Sequence, residues 1–154
     1  MRKLIAKFGA VVMMAVILTA ILGVDGKPLS KTLVLVIDLG NVIFVAPGFT
    51  NQIEKGVRTY QEFPLLDAQG AVIGEYRFHA VSTLPVGLGF GWYGNESFDI
   101  IGEGVIEGIS QADQSIGLFP EGSIIGGTGR FSGASGEYTS ADGVTYTFTF
   151  KKAR

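Results

Sequence analysis

The stretch "IIGGTGRFSGASGE", residues 124–137, decides how the chain is read. Glycines at 126, 127, 129, 133 and 136 can mark a phosphate cradle, or a chain turning sharply between strands. A dinucleotide loop needs three glycines in G-x-G-x-x-G spacing between a strand and a helix. Gly127 and Gly129 supply the first two, but Ser132 stands at the third position and Gly133 comes one residue late. A P-loop needs a Lys after its glycines, and this stretch has none. The residues from Gly136 onward, "GEYTSADGVTYTFTF", alternate like strand and turn rather than helix. Without a helix N-terminus the anion-binding argument loses its physical basis. The stretch therefore reads as a β-arch. Gly126, Gly127 and Gly129 permit its bends, Phe131 plugs a barrel end, and Gly133 and Gly136 open the next strand.

Working outward, "VTYTFTF" points Val144, Tyr146, Phe148 and Phe150 to one side and threonines to the other. Such alternation belongs to a strand with one buried face. "AVIGEYRFHAVST" puts Val72, Gly74, Tyr76, Phe78 and Ala80 on one parity and Glu75, Arg77 and His79 on the other. "RTYQEFPLL" reads as a strand whose Pro64 signals an edge or bulge, and "DAQG" after it as a turn. "KTLVLVIDLGNVIFVAPG" reads as one long bent strand or two short ones, broken near Gly40-Asn41. In "GLGFGWYGNESFDIIGEGVIEG", Gly94-Asn95-Glu96 reads as a turn, with Phe98, Ile100 and Ile106 on one parity beyond it. "QADQS" reads as a polar loop. Many short strands with turn signals predict an all-β fold, a single eight-stranded antiparallel barrel.

Composition agrees. The chain has 154 residues, which suits one domain, with 47% hydrophobic residues and 23 glycines. A net charge of −2 gives no electrostatic case for nucleic acid. With no Cys and a single His, neither a thiol-based nor a His-cluster metal site is available, and no cofactor is expected. The N-terminus carries Arg2, Lys3 and Lys7 ahead of an uncharged run from Phe8 to Val24, the layout of a secretory signal. Residues 1–26 are thus expected to be a signal segment and 27–154 the barrel, exported to the periplasm or exterior. Cleavage after Gly26 or near Ala20 fits; an uncleaved anchor is the rival, and only that version involves a membrane.

Four pieces, in order, resemble the allene oxide cyclase/dirigent-like barrels. "IIGGTGRFSGASGE" resembles their glycine motif, "LLDAQGAVIGEYRF" their turn into a strand bearing a Val/Ile-Gly pair, "FDIIGEGVIEG" the strand before the motif, and "YTFTF" their closing strand. The resemblance spans residues 60–150. It implies an eight-stranded barrel, a homotrimer in many members, with an apolar cavity that guides cyclisation or radical coupling of a small molecule. The cysteine that allene oxide cyclases use is absent.

Candidate site residues come from the inward parities. Asp38, in an apolar strand, either enters the lumen as a buried carboxylate or caps a turn at "DLGN". Tyr60 and Glu62 share a parity and are expected to pair into the lumen, which makes Asp38 and Glu62 the candidate catalytic acids. Tyr76, Phe78, Trp92, Tyr146 and Phe148 are expected to line the lumen with Tyr60, either around a ligand or as ordinary core. His79 is expected to face solvent. Asn95-Glu96-Ser97 matches a glycosylation sequon. The expected function is binding of an apolar small molecule, with or without guiding its reaction. The alternatives are a lipocalin-like carrier and a structural barrel whose lumen is filled.

Overall fold

The structure, a computed structural model, describes residues 31–41, 43–45, 55–84 and 91–151. The expected signal segment lies outside the described residues. The described chain forms nine strands: β1 (Thr32–Ile37), β2 (Phe44–Val45), β3 (Arg58–Leu66), β4 (Val72–Ser82), β5 (Gly91–Ile100), β6 (Gly104–Asp113), β7 (Leu118–Gly127), β8 (Gly136–Ser140) and β9 (Thr145–Phe150). Each of β3 to β8 pairs antiparallel with the strand after it, and β1 pairs with β9. The circle closes where Val36 and Ile37 of β1 meet Leu66 and Leu65 of β3. Eight strands make the barrel wall, and the short β2 continues along the β3 edge at Gln61 and Glu62. The first apolar stretch is thus two strands broken at the Asp38–Asn41 turn.

Period-two alternation sets which side chains enter the lumen. On β4 these are Tyr76, Phe78 and Ala80, and on β9 Tyr146, Phe148 and Phe150, all buried. On β3 they are the odd positions, including Phe63 and Leu65. Trp92, Phe98 and Ile100 come from β5, and Ile106 and Ala112 from β6. Two places differ from the sequence expectation. Gly94-Asn95-Glu96 is no turn but the middle of β5, where Asn95 faces outward between His79 and Ile109. "QADQS" covers the last residues of β6 and the first two of a 3-10 turn at Gln114–Ile116.

The glycine stretch closes the lower end of the barrel. Gly126 and Gly127 finish β7, a 3-10 turn spans Gly129–Phe131, and the chain re-enters at β8. Phe131 is 1% exposed and stacks on Phe150 at 6.0 Å, so it stoppers this end. Gly129 and Gly133 take positive φ, as a sharp arch demands. Gly126 and Gly127 do not. Gly127 is required for a different reason: a Cβ there would overlap the Val105 carbonyl oxygen and press on Phe131.

Gly127→Val is therefore expected to cost about 1–3 kcal/mol through overpacking against backbone. His79→Ala, at an exposed outward position, should stay within about 0.5 kcal/mol of the parent. Urea denaturation of both variants checks this, and equal midpoints would show that the arch is not tightly packed.

Candidate functional site: a buried carboxylate held by three phenols

The inward residues of β5 run Trp92, Gly94, Glu96, Phe98, Ile100. Glu96 is therefore projected into the apolar lumen by the same alternation that buries Phe98, and its exposure is 0%. A carboxylate taken out of water is costly unless its lone pairs are satisfied. Three tyrosines do this from three other strands. The Tyr76 hydroxyl on β4 donates to Glu96 Oε1 at 2.5 Å, and Tyr146 on β9 donates to the same oxygen at 2.9 Å. Tyr138 on β8 donates to Oε2 at 2.6 Å. These are short, charge-assisted distances. No cation pairs with Glu96 among the described residues.

The arrangement depends on small neighbours. Tyr138 stands on β8, with β7 and β6 between it and the Glu96 strand, and its ring must lie flat along the wall to arrive. It crosses Gly122, which sits directly opposite it on β7, and reaches over Gly108 on β6, which is opposite Glu96. A Cβ at either glycine would collide with the Tyr138 ring or hydroxyl. Beneath the carboxylate, Phe98 forms a floor. Its ring lies 5.0 Å from Tyr76, 5.3 Å from Tyr146 and 4.8 Å from Phe148, and edge-on to Tyr138. Such rings pack well in tilted and edge-to-face pairs. Above it, Trp92 meets Phe78 edge-to-face at 5.3 Å.

Burial and the adjacent carboxylate push the hydroxyls of Tyr76, Tyr138 and Tyr146 well above the usual phenol range. The Ser110 hydroxyl on β6 acts in the opposite direction on Tyr138, although no hydrogen bond of normal geometry joins them. The three phenols thus hold their protons more firmly than free phenols do. A carboxylate with fixed donors in a dry, aromatic space can accept a proton from a ligand and stabilise the charge that develops.

The expected site residues fall into two groups. Tyr76, Phe78, Trp92, Tyr146 and Phe148 all enter the lumen, and Tyr76 and Tyr146 hold Glu96. Asp38, Tyr60 and Glu62 do not. Asp38 caps the turn after β1, accepting from the Gly40 N–H at 3.1 Å and the Asn41 side chain at 2.7 Å. Tyr60 does bond Glu62, at 2.6 Å, but on the outer face, where Arg77 approaches Glu62. The reason is parity: Phe63 and Leu65 take the inward side of β3 and turn even positions out. Glu96 and Tyr138 are absent from the sequence-based candidates. Counting parity back from Phe98 turns Glu96 inward, and that was the signal available.

The geometry sets two measurable outcomes. Tyr138→Phe should destabilise more than Tyr146→Phe, because Oε2 then loses its one phenol while Oε1 keeps Tyr76. Hydrogen bonds to charged groups are worth about 1.5–3 kcal/mol, and denaturation midpoints will show the order. In alkali, the three buried hydroxyls hold their protons more firmly in the barrel than in the unfolded chain. The stability they confer is complete below the ordinary phenol value of 10.0 and is lost as pH rises above it. Phenolate absorbance from Tyr76, Tyr138 and Tyr146 should appear only together with loss of the β-sheet circular dichroism signal.

No protein-family profile and no curated protein matches the chain. Among solved structures, the chain is similar to a pyocyanin demethylase, with a TM-score of 0.54 and 18% identity over 78% of this chain and 99% of that one. At that identity the likeness speaks to the fold: a small antiparallel β-barrel.

Proposed function

We propose that the protein binds an apolar, ring-bearing small molecule in its lumen and moves a proton on it through Glu96. The observation that carries this reading is a fully buried carboxylate without a cationic partner, held by three phenols in an aromatic lumen. A barrel that only needed filling would gain as much from an apolar residue, since buried ionised groups seldom add net stability. The named activity of the similar barrel, a demethylase acting on the small molecule pyocyanin, supports a lumen used for chemistry on a ligand. The order of the glycine motif and closing strand supports kinship with allene oxide cyclase/dirigent-like barrels, and the basic, then apolar, N-terminus supports export.

In this mechanism the carboxylate of Glu96 takes a proton from an acidic C–H of the ligand. The electron pair of that bond moves onto a conjugated oxygen, and a phenol whose O–H is released from Glu96 as the carboxylate becomes neutral turns it to the developing oxyanion. The protonated carboxyl then returns a proton at the same or a conjugated carbon. Positioned acid–base catalysis of this kind contributes about 10²–10⁴-fold. The near-zero exposure of Glu96, Tyr138 and Tyr146 favours a second reading, a structural barrel with a filled lumen.

One experiment separates them. Naphthalene binding is followed by Trp92 fluorescence, and solvent deuterium entry at the α-carbon of 2-tetralone by NMR. The parent protein should bind naphthalene saturably and accelerate exchange. Glu96→Gln should still bind naphthalene while losing exchange by about 10²-fold or more. Binding without exchange in the parent would make the protein a carrier. A folded parent that binds neither compound would establish the structural barrel.

A further inference from the structure

On the outer wall of β5 to β8, away from the lumen, alternation turns the odd positions to solvent. Tyr93, Gln111, Glu121 and Thr139 form one level across the four strands. Ile109, Ser123 and Glu137 lie on the next. Ser123 and Thr139 are short and stand among longer side chains, which leaves a hollow of about 310 Å³ open to solvent. Small-molecule pockets begin at about this size. Tyr93, 54% exposed, and Ile109 give the hollow an apolar side on β5 and β6. Glu121 and Glu137 stand on the β7 and β8 side.

The wall around the hollow is acidic. From Phe78 to Gly129, a span that contains β5, β6 and β7, the chain has no Lys or Arg, and β8 adds none. Glu121 accepts from the Gln111 side chain at 3.2 Å, and Lys151 approaches Glu137 at 3.3 Å. No Lys or Arg forms an ion pair with Glu121 among the described residues. Glu121 and Glu137 are diagonal neighbours on the β7–β8 pair, a placement that sets residues about 7–8 Å apart. Two carboxylates with one ammonium between them leave net negative charge beside an exposed aromatic ring, and such a field concentrates cations.

We propose that this hollow binds a small quaternary ammonium ion. The charged head lies between the Tyr93 ring and Glu121, where cation–π attraction adds to the field of the carboxylates. Its methyl groups contact Ile109. A quaternary head carries no N–H, so it asks for negative potential and apolar contact rather than a fixed set of acceptors, and the hollow supplies both. Anions are repelled by the same field. The site is separate from the lumen, so its failure leaves the lumen reading standing.

The test compares choline with 3,3-dimethyl-1-butanol, its neutral isostere, by the amide NMR shifts of Tyr93, Ile109 and Thr139. The parent should bind choline about fivefold or more tighter than the alcohol, the preference that one exposed cation–π contact beside a carboxylate confers. The preference should shrink as salt is raised. Glu121→Gln should remove most of it without changing affinity for the alcohol. Tyr93→Leu keeps an apolar contact and should weaken choline binding alone. Glu107→Gln removes the same charge from the same wall outside the hollow and should leave the preference largely intact. Circular dichroism establishes that each variant is folded. A folded parent without preference for choline overturns the proposal, as does a preference that survives Glu121→Gln. An equal loss in Glu107→Gln and Glu121→Gln also overturns it, because the cation would then be held by the wall at large.

Discussion

One buried carboxyl group organises this barrel. Glu96 cannot reach water, and the apolar lumen offers no cation among the described residues, so its lone pairs must be met by neutral donors from the walls. The donors come from β4, β8 and β9, so a single carboxylate ties β5 both to its neighbour β4 and to two strands that do not pair with it. The positions of Tyr76, Tyr138 and Tyr146, the absence of side chains at Gly108 and Gly122, and the Phe98 floor all serve that requirement. Core packing by itself tolerates many substitutions of similar volume. A carboxylate that needs three hydroxyls within hydrogen-bond reach tolerates very few, and it fixes the radial position of each strand that supplies one.

The polar centre also divides the lumen by chemistry. Below Glu96 the barrel is conventional core, with Phe148, Phe150 and Ile106 closed off by Phe131. Above it Ala80, Gly94, Ser110 and Gly122 take inward positions, and the Tyr138 ring lies over Gly122. The outer face carries a separate electrostatic arrangement, with Arg77 among Glu62, Glu75 and Asp99. That group is partly solvated and bridges three neighbouring strands, so it belongs to wall stability rather than to lumen chemistry.

Much of the fold was legible because period-two alternation is strong where one face is buried. β4 and β9 show it in unbroken form, and β3 matches the expected span. β7 was not legible. Pro120 and Gly122 interrupt its pattern, and Phe119 and Ile125 face outward, so apolar residues lie on both parities. The site was harder still. Glycine, asparagine and a charged residue in succession have turn composition, and only the register with β4 and β6 shows Glu96 to be mid-strand. Pairing Tyr60 with Glu62 was sound, but its direction depended on weighing Phe63 and Leu65 against it. The partnership of Tyr138 with Glu96 joins distant parts of the sequence and leaves no local mark apart from the glycines that make way for it.

The closure of the circle has a kinetic side. β2 to β9 are linked by successive neighbour pairings, so most of the wall can assemble as a growing meander of local contacts. β1 is the exception. It must join Thr32 to Thr149 on one edge, and it holds β3 through the pairs at Val36 and Ile37 on the other. Among the described strands β1 leaves the ribosome first and its partner β9 last. High contact order is thus concentrated in one strand, and the topology makes its insertion the slow, late event of folding. Until then the β9 edge and the Leu65–Leu66 end of the β3 edge are unpaired, and an unpaired edge is where a second chain can add itself. The seam at residues 36–37 and 65–66 therefore sets how long the newly made chain is vulnerable to aggregation.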